Sequence, residues 1–318
     1  MAWRTLLLLS LTALIAGGTV AVAQPASAPK DQTAQPDRIA HVTLGQAVVP
    51  LFGPWKFTVG DSPIDPKTGK PLWAEPDFDG SKWEAVDLTP KEGAVDPNAE
   101  FSSYVPGWTA RGHAGYGGWA WYRLRVRVAA VPGEQMAIDG PMADDAWQLF
   151  AEGKLQGSFG KFDNRGDVRR IYGYRPLMIP LPPVERTEGG VVTETLAFRV
   201  WMNNGSLTDA NVGGLRSAPL LVAAAAMTAQ SRIDWQAMLL GKLDQAVYVA
   251  MFLLFAVLAA SLVLFDRSDR VYLWVAATML ISTAGYVALN ICALTEWLDS
   301  RIAEQFMSIH GCPVKVKL

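Results

Sequence analysis

Hydrophobic and polar positions follow two rhythms along this chain, and the change from one to the other falls near residue 230. Over 120–128 they alternate, with Tyr122, Leu124, Val126 and Val128 on one side and Trp121, Arg123, Arg125 and Arg127 on the other. A period of two makes one face of a strand core and leaves the other polar. Residues 195–201 repeat the scheme, setting Leu196, Phe198 and Val200 against Ala197, Arg199 and Trp201. Shorter candidate strands lie at 55–59, 134–139, 146–151, 154–159, 177–181 and 220–226, punctuated by turn signals such as Glu152-Gly153 and Asn204-Gly205. Many short strands with no amphipathic helices between them predict an all-β antiparallel sandwich, a jelly roll, over 39–230. The Pro-, Asp- and Gly-rich stretch 61–106 is expected to hold the loops at one end of it.

Beyond 230 the alternation stops. Residues 231–245 scatter Ile233, Met238, Leu239, Leu240 and Leu243 among charges, which predicts a short juxtamembrane helix. Residues 246–265 carry no charge, and at about 1.5 Å per residue they reach ~30 Å, the thickness of a bilayer's hydrocarbon core. A second apolar run, 271–295, is long enough to span with some tilt. Tyr248, Tyr272, Trp274 and Trp297 fall near the ends of these runs, where amphipathic rings favour the interface. The prediction is a transmembrane α-helical hairpin, with the lipid bilayer as partner. Arg267 and Arg270 place its short loop on the cytoplasmic side. Asn290 and the small-residue pairs Ala256/Ala260 and Ala284/Ala288 are the expected contacts between the helices.

At the other end, Arg4, an apolar run over 6–16, Gly17-Gly18 and Ala21-Val22-Ala23 make residues 1–23 a secretory signal peptide. Residues 24–38, rich in Pro, Ala and Gln, have almost nothing to bury and are expected to be a disordered leader. Residues 296–318 hold no third apolar run and read as a short tail, so the membrane part is expected to be truncated.

Composition removes several function classes. A formal net charge of −2 with no basic block excludes nucleic acid as a partner. The two cysteines, Cys292 and Cys312, leave the region before the membrane without thiols, hence without disulfides or cysteine metal sites. His41, His113 and His310 are too far apart in sequence to suggest a metal centre, and no cofactor is expected. Gly112, Gly115, Gly117 and Gly118 run into a strand rather than a helix, so they make no dinucleotide loop. Gly157-Ser158-Phe159-Gly160 lacks the G-x-S-x-G of a nucleophile elbow. Glu75, Asp77 and Asp79, and separately Asp144 and Asp145, could serve paired-carboxylate chemistry. Their turn-rich surroundings make them turn caps, solvated groups or calcium ligands instead, and no catalytic residue is assigned.

The suggestive constellation is aromatic. Trp108, Arg111, Tyr116, Trp119, Trp121 and Arg123 crowd a Gly-rich approach to a strand, and flat rings beside guanidinium groups suit stacking on sugar faces and bonding to hydroxyls. The alternation leaves Trp121, Arg123 and Arg125 on the face away from the core, as an exposed platform. The competing reading is that the rings pack the sandwich edge, since 12 Trp in one chain are too many for all to touch a ligand.

Several segments carry a family resemblance: Gly53-Pro54-Trp55-Lys56-Phe57, the Trp73 to Trp83 stretch WAEPDFDGSKW, Gly118-Trp119-Ala120-Trp121-Tyr122-Arg123-Leu124, and DDAWQLFAEGK from Asp144 to Lys154, then Gly157 and Gly160. In order and spacing they resemble the galactose-binding-like jelly roll that serves as the sugar-binding domain of family 2 glycoside hydrolases. Glu152-Gly153 stands where that family often has Asn-Gly. With an export signal in front and spans behind, residues 45–298 are similar to the bacterial seven-transmembrane receptors with diverse intracellular signalling modules. The resemblance implies binding without catalysis, because those hydrolases keep their catalytic carboxylates in a separate barrel. It also implies a sensor on the bacterial inner membrane, its sandwich on the periplasmic or extracellular side, truncated before any phosphatase, kinase or cyclase output. The expected ligand is a carbohydrate or other small molecule, and self-association into a homo-oligomer is left open. The alternatives are a tethered sugar-binding accessory domain of an envelope carbohydrate enzyme or assembly, and an envelope protein that binds a partner and no small ligand.

Overall fold

The computed structural model of the chain describes residues 40–43, 48–91, 105–171, 175–204, 211–265 and 270–295. The expected signal peptide, leader and tail lie outside the described residues. In chain order the strands are β1 (Ala40–Thr43), β2 (Val48–Pro50), β3 (Trp55–Val59), β4 (Glu84–Val86), β5 (Gly118–Ala129), β6 (Met136–Asp139), β7 (Ala146–Ala151), β8 (Lys154–Phe159), β9 (Lys161–Phe162), β10 (Val168–Arg170), β11 (Met178–Pro180), β12 (Val191–Met202) and β13 (Leu220–Ala223). The larger sheet runs β4-β3-β5-β12-β7-β8, with β1 lying parallel beside the far end of β5. The smaller runs β11-β6-β13-β2, antiparallel throughout. Strands β9 and β10 pair as a separate ribbon. The fold is thus the expected antiparallel β-sandwich followed by helices.

The spine is the pairing of β5 with β12, from Gly118 opposite Met202 to Ala129 opposite Val191. Its inward positions are those the alternation selects. Tyr122, Leu124, Val126 and Val128 meet Leu196, Phe198 and Val200 from β12 and Met136, Ile138 and Leu221 from the smaller sheet in one buried core. Each such side chain contributes roughly 1.5–3 kcal/mol of burial. Trp55 and Trp147 close the core by setting ring edges against Phe198 at 5.8 and 5.4 Å. Between β7 and β8, Glu152 and Gly153 both take positive φ, 47° and 72°, as a tight hairpin whose twist matches its strands requires. Glu152 tolerates that backbone where its N–H reaches Thr195 O at 3.0 Å and its carboxylate accepts the Thr195 N–H at 2.5 Å.

The outward face of the larger sheet departs from expectation. Trp121 is 0% exposed and Arg123 5%, so they form no exposed platform. The cover is the stretch expected at one end of the sandwich: Trp73 and Trp83 pack on Trp121, Phe150 and Ala197 as a second small core. Arg123 donates to the carbonyls of Trp73 (3.0 Å), Glu75 (2.6 Å) and Pro76 (2.6 Å). The physical reason is that Trp121, Phe150 and Ala197 make this face too apolar to leave in water, and a buried guanidinium is tolerated when its donors are filled. Asp79 serves a turn, accepting the Ser81 N–H at 2.9 Å, whereas Asp145 and Asp144 tie distant segments together, Asp145 accepting the Asn203 N–H at 2.6 Å and Asp144 that of Gly213 while facing Arg216 at 3.7 Å.

Past β13 the chain becomes helical: α1 (Met227–Leu240), α2 (Leu243–Phe265) and α3 (Val271–Leu294). Helix α1 starts before the expected residue 231, because the strand ends at Ala223 and a 3-10 turn, Ala224–Ala226, leads straight into it. Helices α2 and α3 are long and apolar enough to cross a membrane. Four of their polar side chains bond within their own helix, with Ser261, Thr278, Thr283 and Asn290 donating to carbonyls three or four residues back. The bond shown for Asn290 thus lies within its own helix. Among the described residues, the small ones buried in the helical pair are Ala256, Ala259, Ala276, Thr283 and Gly285, whereas Ala260 and Ala284, expected there, are exposed.

Candidate functional site

The residues expected to form a ligand platform are drawn into different places. Trp108 is 0% exposed. It lies over Phe57 with centroids 6.3 Å apart and donates its indole N–H to Tyr116 O at 3.0 Å. Tyr116 donates its hydroxyl to Trp119 O at 2.6 Å and accepts the Gly60 N–H at 3.0 Å, tying the Gly-rich approach to the end of β3. Arg111 donates to Pro106 O. Trp121 stacks on Phe150 at 5.5 Å and donates to Asp61 at 3.2 Å, and Arg123 is spent on the carbonyls named above. Five of the six hold loops and covers in place.

Trp119 is the exception. The β5–β12 register sets it opposite Trp201 on the outward face, and Arg199 opposite Trp121. Both Trp119 and Trp201 are half-buried, as is Phe162 of β9, and the Trp119 centroid is 6.3 Å from that of Phe162 and 6.4 Å from that of Trp201. The Arg199 guanidinium carbon stands 3.6 Å from the Trp119 centroid, a cation–π contact. Its nitrogens are fully employed: two donate to the Asp61 carboxylate at 2.9 and 2.5 Å, and Nη1 donates to Gln148 Oε1 at 2.9 Å and Gly166 O at 3.0 Å. Arg199 is therefore a clamp. It fixes the Trp119 ring, the amide of Gln148 and the loop after β9 in one geometry.

Beside this clamp lies an open cleft of about 490 Å³. The outer strand β8 and the β9–β10 ribbon frame it, and Gln148, Ser158, Lys161, Phe162, Asp163 and Arg175 line it. Because Arg199 holds Oε1 of Gln148, the remaining donor of that amide is the NH2 group. Asp163 is engaged in its own turn, accepting the Arg165 and Asp167 N–H groups at 2.9 Å each and pairing with Arg169 at 2.6 Å. Those bonds, the Asp167 N–H first, hold its carboxyl below the usual range, so it stays an acceptor and not an acid. The cleft thus offers an aromatic ring, an amide, a hydroxyl and two cations around a space of small-ligand size.

Of the residues here, the sequence points to Trp119, through the aromatic crowd before the strand, and to Arg199, through the alternation. Gln148 shares their face, but only the β12–β7 register, with Arg199 opposite Gln148, reveals it. Lys161, Phe162 and Arg175 lie in short irregular segments that carry no periodic signal.

No protein-family model matches the chain. No curated protein matches it either. Among solved structures it is similar to a Bacteroides uniformis beta-glucuronidase, with 18% identity and a TM-score of 0.36 over 56% of this chain and 18% of that one. A Parabacteroides merdae beta-glucuronidase gives 18% identity and a TM-score of 0.32 over 56% of this chain and 22% of that one. A beta-glycosidase from Bacteroides vulgatus gives 13% and 0.28, over 56% and 20%. The chain spans only those 18–22% of the enzymes' own lengths.

Proposed function

We propose that this chain is a membrane-anchored, extracytoplasmic binding module that takes a carbohydrate, preferably an acidic one, into the cleft beside the Arg199 clamp. The observation that carries the reading is the set converging there: the Phe162 ring backed by Trp119, the Gln148 amide and Ser158 hydroxyl, and the cations Lys161 and Arg175. A flat ring stacks on the apolar face of a sugar, while amide and hydroxyl groups bond its hydroxyls. Lys161, exposed at the rim, favours a carboxylate or sulfate on the ligand, since Asp163, the carboxylate among the lining residues, is already paired with Arg169. The same chemistry supports binding rather than turnover as the reading, because glycoside hydrolysis most often uses two carboxyl groups facing one another and Asp163 is the one carboxylate among the described lining residues. Helices α2 and α3 anchor the module in the bacterial inner membrane with the sandwich on the periplasmic side, and the role is that of a sensor for a signalling receptor.

The test is a glycan array probed with the full chain in detergent micelles. Retention of acidic oligosaccharides is expected, with Phe162→Ala and Lys161→Ala each weakening binding about tenfold, equivalent to ~1.4 kcal/mol. Retention of no glycan, or retention indifferent to both substitutions, would overturn the proposal.

A further inference from the structure

Helix α1 lies against the outward face of the smaller sheet. The register puts Pro50, Ala137, Asp139, Met178, Leu220 and Val222 on that face, which is apolar but for one carboxyl group. Asp139 is only 7% exposed. From α1, Gln230 and Asp234, one turn apart, reach the same spot: the Gln230 amide donates to Asp139 Oδ2 at 3.5 Å and to Asp234 Oδ1 at 2.8 Å. Asp234 Oδ2 is buried with no hydrogen-bond partner.

Among the described residues of these elements, nothing neutralises two anions. The other residues of β2, β6, β11 and β13 carry no ionisable side chain. On α1 the remaining charged residue, Arg232, is exposed. Two carboxyl groups sharing one amide in a buried site cannot both ionise cheaply, and a proton held between them supplies the donor that Asp234 Oδ2 lacks.

We propose that Asp139 and Asp234 form a proton-operated catch, which holds α1 on the sandwich while the pair keeps a proton and releases it when both carboxyls ionise. The inference does not depend on the ligand reading. Burial first, and the Asp234 carboxyl next, push Asp139 up to about 7; burial raises Asp234 as well. A carboxyl raised in the docked state contributes stability that is complete below its ordinary value near 4 and is lost as pH rises through about 7. Only Gly241 and Lys242 separate α1 from α2, so release acts at once on the start of the first apolar helix.

The experiment is hydrogen exchange of the full chain in detergent micelles from pH 5.5 to 8.5, corrected for intrinsic exchange. Glu194, raised to about 7 by burial and by Glu152, makes the sandwich itself somewhat less stable in the same window, so the readout is the protection of α1 relative to β5 and β12. In the wild type that ratio should fall as pH rises from 5.5 through about 7, by up to tenfold per pH unit for one proton lost, and level off above it. Asp139→Asn and Asp234→Asn, which keep the shape and remove the ionisation, should each hold it flat to pH 8.5. A wild-type ratio indifferent to pH, or Asn variants that follow the wild-type curve, would overturn the catch. If one variant fails to fold, as β5 and β12 exchange would reveal, the other carries the comparison.

Discussion

Tryptophan position shows how far residue identity can be read and where it stops. The alternation over 120–128 assigns Trp121 and Arg123 to the face away from the core, and the structure agrees on the face. What it cannot reveal is that a second layer of chain covers that face, since the contact of Trp73 and Trp83 with Trp121 spans about forty residues or more of sequence. Burial decides what each ring is for. Trp108→Ala and Trp121→Ala should each cost roughly 3–5 kcal/mol, the range for emptying a buried aromatic site. Trp119→Ala should cost nearer 1 kcal/mol, the scale of a half-exposed cation–π contact. Denaturant melts of the three variants check the order; a loss for Trp119→Ala as large as for Trp121→Ala would show that the Arg199 clamp holds the sheet together and is not a surface device.

Among elements, the strands with a clean signal are the legible ones. Ala146–Ala151 and Lys154–Phe159 coincide residue for residue with their expectation, because a tight turn and alternating residues mark both. The ribbon β9–β10 is too short, two and three residues, to carry a period, and it is this ribbon that frames the cleft. The helical pair was legible as apolar length, while its seam was not: with apolar residues all round each helix, which small residues face inward is set by the crossing and not by composition. Orientation remains a matter of charge. In a background lacking Cys292 and Cys312, cysteine at Ser268 should be protected from an impermeant thiol reagent in intact spheroplasts and become reactive once the membrane is opened. Labelling of intact spheroplasts would place the loop outside and reverse the proposed topology.

For the whole molecule, the two sheets present their outward faces to different tasks. One carries the clamp and cleft; the other receives α1, which continues into the first apolar helix. A ligand that orders β8 and the β9–β10 ribbon acts on the larger sheet, and the shared core of Leu124, Phe198, Ile138 and Leu221 is the packed material between that sheet and the face on which α1 sits. The claim on which this account turns is that the ligand enters the cleft rather than the Gly-rich approach around Trp108. Hydrogen exchange of the full chain, with and without a saturating oligosaccharide retained on the array, tests it most directly. Protection confined to residues 158–163 and 175, with 108–116 unchanged, is the expected result; protection at 108–116 with none at the cleft would contradict it.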